Sequence, residues 1–112
     1  MIVRIWHGWT KSENAATYEK LLRTEIFTGI LKREIAGFKG IQLLKRIGED
    51  EQEFITLMWF ESIQAIKEFA GEDYTRAVVP DKARELLKRF DPHSQHYEIK
   101  ETKAPCCTNE KP

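Results

Sequence analysis

The chain has 112 residues, of which 41% are hydrophobic and 32% are charged, as is typical of one soluble globular domain. Its 18 basic residues balance 18 acidic residues, so no net positive field attracts nucleic acid or an anionic membrane. The longest apolar run is far shorter than the roughly 20 residues of a membrane-spanning helix. The amino-terminal segment also lacks the basic-then-apolar order of a signal peptide. We therefore expect a cytoplasmic protein without nucleic-acid or membrane partners.

A first strand is predicted from Ile2 to Trp9, a segment rich in β-branched and aromatic residues. Alternate side chains of a strand point to opposite faces of its sheet. The face that we expect to meet the helices carries Val3, Ile5, His7 and Trp9, and the other carries Ile2, Arg4, Trp6 and Gly8.

A long helix is predicted from about Ser12 to about Ile35, where apolar residues recur at helical spacing. Gly29 lies within this helix and is expected to bend or interrupt it, since glycine weakens a helix interior. Strand two is predicted from about Phe38 to Ile47, and a polar hairpin loop at residues 48–52 leads into strand three.

Strand three, from Glu53 to Phe60, is apolar on both faces. A strand with water on one side would alternate apolar with polar residues, so both faces of this strand need cover. One face carries Ile55, Leu57 and Trp59, and the other carries Phe54, Met58 and Phe60.

Two helices and a last strand are predicted in the remainder of the domain. Ser62 is placed to cap a short helix. An irregular stretch follows at residues 72–79, and Pro80 suits the first turn of a further helix, which ends at Asp91 before a proline. Strand four is predicted at residues 94–100.

This order of elements predicts an α+β, ferredoxin-like βαββαβ fold, with a four-stranded antiparallel sheet and the helices on one face. The bare face would expose a large apolar patch, which usually marks an interface. Twofold pairing of two bare faces is the commonest solution, so we expect a homodimeric α/β barrel; a patch tolerated by a monomer is the alternative. The residues expected at the interface are Trp6, Phe54, Met58, Phe60 and His96.

We expect one domain over residues 1–102 and a disordered tail over residues 103–112, which is polar and ends in proline. Cys106 and Cys107 are adjacent, which disfavours a disulfide between them, and their spacing matches no zinc site or redox motif. A redox role for the pair is the alternative.

Three short segments carry a resemblance to the antibiotic biosynthesis monooxygenase family of the dimeric α/β-barrel superfamily. The first is the glycine turn at residues 36–40, and the second is the segment at residues 58–62, where a strand ends in tryptophan and an acid–serine pair caps the next helix. The third is the closing segment at residues 90–98. The likeness extends over roughly residues 1–100.

The resemblance implies a homodimer with a small-molecule pocket between helices and sheet in each subunit. Some members of the family oxidise polyketide-type aromatic molecules without metal or flavin, and a related branch degrades haem. Others carry out different small-molecule chemistry.

The haem-degrading branch uses an asparagine in strand one, a tryptophan in the helix after strand three and a histidine in the next helical stretch. The corresponding positions are assigned here to His7, Phe69 and a residue near Val79. Valine offers no lone pair to iron. These departures argue against haem degradation, and we expect no cofactor.

His7 is the candidate catalytic base, because a histidine with a pKa near neutrality suits proton abstraction from a phenol or an activated carbon. Trp59 and Phe69 are candidate pocket walls for a flat ligand. Tyr74 and Arg76 lie in the irregular stretch, which could cover the pocket, and an arginine there could bind a carboxylate. The plain alternatives are a half-buried histidine, core aromatic residues and a solvated loop.

No metal site is expected. His93 and His96 are three residues apart, but Pro92 and the following strand pattern exclude the helix on which that spacing would bind a metal. The hypothesis is therefore a cofactor-independent monooxygenase acting on a small, possibly aromatic molecule. The alternatives are a non-catalytic binding or structural protein and a cofactor-independent isomerase or lyase.

Overall fold

A computed structural model of the protein describes residues 1–105. Cys106, Cys107 and most of the predicted tail lie outside the described residues. Five strands form one antiparallel sheet: β1 (Ile2–Lys11), β2 (Phe38–Ile47), β3 (Glu51–Phe60), β4 (Leu87–Phe90) and β5 (Gln95–Glu98).

The long strand β1 organises the sheet. Along one edge it pairs with β3 over its whole length, from Ile2 opposite Phe60 to Lys11 opposite Glu51. Its other edge is shared by β5 and β4, which pair with successive parts of the strand. Strand β2 pairs with the outer edge of β3, so β3 and β1 are the central strands.

The helices all pack on one face of this sheet: α1 (Ser12–Leu21), a π-helical segment (Leu22–Ile26), α2 (Phe27–Lys32), α3 (Ile63–Ala70) and α4 (Asp81–Leu86). Ser62 caps α3 as predicted, because its hydroxyl accepts the Ala65 N–H at 3.2 Å. The left-handed φ of 92° at Gly71 ends the same helix. The predicted α+β class and ferredoxin-like element order are confirmed, but the sheet has five strands rather than the predicted four, because residues 87–90 form the additional strand β4.

Two features of the helices differ from the prediction. The last helix ends at Leu86 rather than continuing to residue 90, because residues 87–90 pair with the open edge of β1 near its end. The first helix is irregular at its π-helical segment, whereas Gly29 lies in the regular turns of α2.

Which face of the sheet meets the helices was predicted wrongly. Phe54 and Phe60 are completely buried beneath the helices, and Met58 is nearly so. The opposite face has no cover from residues 1–105. It presents Val3, Ile5, His7, Trp9, Ile55, Leu57 and Trp59.

Candidate functional site

A cavity of about 60 Å³ lies between the helices and the sheet. That volume is well below the roughly 300–1,000 Å³ of typical ligand pockets and holds a few water molecules. Its walls come from β1, β2, β3, the first helical run, α3, α4 with the stretch before it, and the segment before β5. The lining residues are Arg4, Trp6, Tyr18, Leu22, Ile26, Phe27, Ile30, Ile41, Thr56, Met58, Phe69, Val78, Val79, Pro80, Ala83 and Ser94.

Trp6 supplies the aromatic wall on the sheet side of the cavity. Its indole N–H donates to the Asp91 carbonyl oxygen at 2.7 Å, which fixes the ring. Gly8 makes room for that ring, because a Cβ at this position would lie 3.0 Å from both Trp6 and Leu87. Gly8 therefore allows Trp6, two residues earlier in β1, to take this position.

Arg4 is the charged group of the cavity. It faces the helices from β1 and is only 3% exposed. Its Nη1 donates to the Tyr74 carbonyl oxygen and to His96 Nε2, the latter at 3.0 Å, and its Nη2 donates to the Arg76 carbonyl oxygen at 3.0 Å. The guanidinium also lies 5.5 Å from the centre of the Phe69 ring.

No carboxylate among residues 1–105 forms an ion pair with Arg4 within 4.0 Å. Burial lowers the pKa of Arg4 to about 10, so the side chain still carries its charge at neutral pH. The structure thus holds a buried cation stabilised only by dipoles and an aromatic ring, next to a cavity.

His96 lies opposite Arg4 on β5 and shares its face of the sheet. Burial, and secondarily the charge of Arg4, lowers the pKa of His96 to about 4. The imidazole is therefore neutral at physiological pH, and Nε2 accepts from the guanidinium because arginine has no acceptor to offer. The Tyr74 ring packs edge-on against His96, with centroids 5.2 Å apart.

Ser94 is a second polar group at the same end of the cavity. It precedes β5 by one residue, so it lies on the same side of the chain as His96, two residues on. The side chain is buried, and its hydroxyl has no hydrogen-bond partner among the described residues. Buried hydroxyl groups nearly always have a partner, so this one is available to a ligand or a water molecule.

The irregular stretch at residues 74–79 is tied to the segment before β5. Ala77 N–H donates to the Pro92 carbonyl oxygen at 2.9 Å, and Ser94 N–H donates to the Thr75 carbonyl oxygen at 2.6 Å. These bonds place the carbonyl groups that hold Arg4. Val78 and Val79 then form a wall of the cavity that belongs to no helix or strand.

His7 does not face this cavity, so its predicted placement is wrong. It lies on the uncovered face, where its Nδ1 is 2.8 Å from Glu53 Oε2 and its ring stacks on Trp9. Trp59 lies on the same uncovered face and lines no part of the cavity.

Of the other predicted ligand-binding residues, Phe69 lines the cavity. Tyr74 and Arg76 contribute through their backbone carbonyl oxygens, which hold Arg4. The side chain of Arg76 is 73% exposed and lies near Asp73.

The residues predicted at a subunit interface lie on the covered face of the sheet. Phe54, Met58 and Phe60 are core residues beneath the helices. Trp6 lines the cavity, and His96 contacts Arg4 and Tyr74. None of the five lies on the uncovered face, because the two sets of alternating residues were predicted correctly but the helices cover the other set.

Sequence reasoning missed Arg4, Ser94 and Tyr18. Tyr18 lies within the predicted long helix, and it lines the cavity while packing against Phe54 at 4.9 Å between ring centres. Burial raises the pKa of the Tyr18 phenol well above its usual range. For Arg4, a signal was available in the sequence. It is the only arginine or lysine between Ile2 and Trp9, and it lies between Ile2 and Trp6 on one face of the strand.

Among residues 1–105, no group of three or more metal-ligating side chains comes together. Over the same span, no helix is long and apolar enough to cross a lipid bilayer.

The sequence matches no protein-family model and no curated protein. Solved structures do match. A Bacillus cereus protein named as a putative antibiotic biosynthesis monooxygenase superposes with a TM-score of 0.67 at 16% identity, over 93% of this chain and 97% of its own. A Deinococcus radiodurans protein of the same description superposes with a TM-score of 0.64 at 14% identity, over 94% and 98% of the two chains.

The chain has the antibiotic biosynthesis monooxygenase fold. A third match is the haem degrader MhuD from Mycobacterium tuberculosis, whose structure holds two haems in its active site. It superposes with a TM-score of 0.57 at 16% identity, over 93% of this chain and all of the other. At these identities the antibiotic biosynthesis monooxygenase likeness establishes architecture, and the chemistry has to be argued from the site.

Proposed function

We propose that the protein binds a small, largely apolar molecule in the cavity between helices and sheet. The observation that carries this proposal is an apolar, partly aromatic cavity that also contains a buried cation and an unpaired hydroxyl. Ligand sites typically combine apolar walls with a few polar groups that orient the ligand. The structural matches place the chain in a fold whose named relatives include monooxygenases and a haem degrader.

Binding of an aromatic molecule requires the cavity to enlarge, because 60 Å³ is smaller than typical ligand pockets. The wall at residues 78–80 belongs to no helix or strand and directly precedes α4. Moving it breaks fewer backbone hydrogen bonds than moving the sheet would. We infer that this wall is displaced when a ligand enters.

The reaction that fits the site and the fold is oxygenation without a cofactor. An activated CH₂ group and O₂ give a carbonyl group and one water molecule, so the substrate supplies the four electrons that reduce oxygen. Among residues 1–105 the cavity lining offers no general base, so the substrate gives its proton to water before it enters. The protein then has to exclude water and stabilise the bound anion. Arg4 is placed to stabilise that anion.

Haem does not fit the residues that line the cavity. The strand-one side chains that face the cavity are Arg4 and Trp6 rather than His7, and the other two compared positions hold Phe69 and Val79. The lining residues include no histidine and no cysteine.

A binding protein without catalysis is the second candidate. It is favoured by one observation: the residues lining the cavity include no histidine, aspartate or glutamate to act as a general base. The same observation weighs against an isomerase or lyase. Oxygen consumption with quinol-type substrates separates the oxygenase from the binding protein.

Filling the cavity tests the proposal. Ala83 on α4 lines the cavity and is nearly completely buried, so Ala83→Leu should remove the thermal shift that small phenols and quinols give, and any oxygen uptake with them. Ala16→Leu makes the same change at an exposed position on α1 and should leave both unchanged. Equal shifts in the two folded variants would place the ligand site elsewhere.

We also propose that a second copy of the chain covers the open face of the sheet. This face carries a continuous apolar patch across β1 and β3, including Ile5, Leu57 and Trp59. Patches of this kind usually mark interfaces. A twofold axis would bring two such faces together, with the pair of His7 and Glu53 enclosed between them.

A further inference from the structure

Arg4 is the only charged side chain that lines the cavity among residues 1–105. A buried cation costs several kcal/mol of desolvation unless it meets an opposite charge. Removing an arginine's proton does not relieve this cost near neutral pH, since the group stays ionised. The site therefore keeps a positive charge with no counter-ion among the described residues.

The known contacts leave part of the guanidinium available. Three of its five N–H groups donate to the carbonyl oxygens of Tyr74 and Arg76 and to His96. All three acceptors are neutral, so they orient the group without cancelling its charge. The pKa of His96 is about 4, so this side chain is neutral in the physiological range. It therefore does not become a second cation that could bind the anion.

Ser94 adds a donor at the same end of the cavity. It is 6% exposed, lines the cavity and has an unpaired hydroxyl oxygen. Arg4 pairs with His96 and Ile5 with Gln95, so this register puts Ser94 diagonally across from Arg4. Its hydroxyl is a suitable second donor for an oxyanion, because charge-assisted hydrogen bonds are the strongest in proteins. Trp6 and Phe69 provide the apolar surface beyond these two donors.

We propose that the cavity takes a small organic anion, whose carboxylate or phenolate oxygen is bound by Arg4 and Ser94 while its apolar body contacts Trp6 and Phe69. This inference rests on the proposed function, since it names the class of molecule that the same cavity binds.

The test compares each charged probe with a neutral molecule of nearly the same shape. Benzoate is compared with benzamide, and 4-nitrophenolate with 4-nitroaniline, by calorimetry and thermal shift at pH 8.5. At least one anion should bind ten times more tightly than its neutral partner or better. The two pairs distinguish carboxylate from phenolate recognition.

Three variants assign the preference to residues. Arg4→Met should weaken binding of the preferred anion at least tenfold and leave binding of the neutral probe within about twofold. Ser94→Ala removes a hydroxyl that has no partner, so folding should be unaffected, and the anion should bind three- to tenfold more weakly. Arg23→Met removes a charge that is 68% exposed, on a residue that does not line the cavity, and should change the binding of neither probe.

The outcomes separate this inference from the proposed function. Equal binding of charged and neutral probes, or unchanged anion binding in Ser94→Ala and Arg4→Met, overturns the anion site and leaves the pocket in place. No binding of any probe by the wild-type protein overturns both.

Discussion

The pair of Arg4 and His96 shows how two residues on neighbouring strands create a polar site in an apolar layer. Arg4 has its charge enclosed, and His96 responds by remaining neutral, with its pKa lowered to about 4. The sequence could not predict this pairing. An arginine in a strand is normally read as facing water, and its burial depends on carbonyl groups from residues 74 and 76, which are far away in the chain.

The lowered pKa of His96 predicts a dependence of stability on pH. Between pH 6.5 and about 4, the unfolded chain binds a proton on this side chain that the native protein does not, so the free energy of unfolding should fall as the pH falls through this window. The contribution is fully present above pH 6.5.

Urea unfolding at pH 7.5, 5.5 and 4.5 measures this effect. His96→Gln should lose less stability than the wild-type protein between the first and last pH, because the variant has no histidine to protonate there. His93→Gln alters an exposed histidine and should follow the wild type. Parallel curves for the wild type and His96→Gln would show that the burial of His96 has no thermodynamic consequence.

At the scale of elements, the sequence predicted the order of strands and helices and most of their bounds. It did not predict which face of the sheet is covered. Strand β3 is apolar on both faces, so its pattern does not indicate which face lies beneath the helices. In β1, Val3, Ile5 and Trp9 were expected to lie beneath the helices. The structure instead buries the alternate residues, which include Arg4 and Gly8.

Replacement of two glycines by alanine should change the stability of the protein in opposite directions. Gly8→Ala places a methyl group 3.0 Å from the Trp6 ring and Leu87, and overpacking of this kind typically costs about 1–3 kcal/mol. Gly29→Ala meets nothing within 4 Å on the regular turns of α2 and should stabilise by about 0.5–1 kcal/mol.

Chemical denaturation of both variants checks this pair of signs. Gly8→Ala should also alter the near-ultraviolet signal of Trp6, while Gly29→Ala should not. A Gly8→Ala protein as stable as the wild type would mean that Trp6 does not lie where the structure places it.

For the whole molecule, the two faces of the sheet have separate roles. The covered face contains the core and the cavity, and the open face carries the apolar patch that we assign to a second copy. The sequence did indicate that one face needs an external partner, because one chain of this size has helices for one side of the sheet. It could not identify the residues on that face, because both faces of β3 are apolar.

Leu57 lies near the centre of the open face, with Ile5 and Gln42 opposite it on the neighbouring strands. Leu57→Glu should convert a dimer to a folded monomer at micromolar concentration, because an unpaired charge would be buried at the interface. Leu31→Glu introduces the same charge on α2 at a leucine that is 56% exposed and should remain dimeric. Sedimentation velocity distinguishes these results, and a monomeric wild-type protein would contradict the proposed assembly.

The central claim is that the cavity beneath the helices is a ligand site with a cationic end. A crystal structure of the protein with benzoate tests it most directly. The carboxylate should lie within hydrogen-bond distance of Arg4 and Ser94, with the ring between Trp6 and Phe69 and the wall at residues 78–80 displaced. A ligand bound on the open face beside His7, with the cavity unchanged, would contradict it.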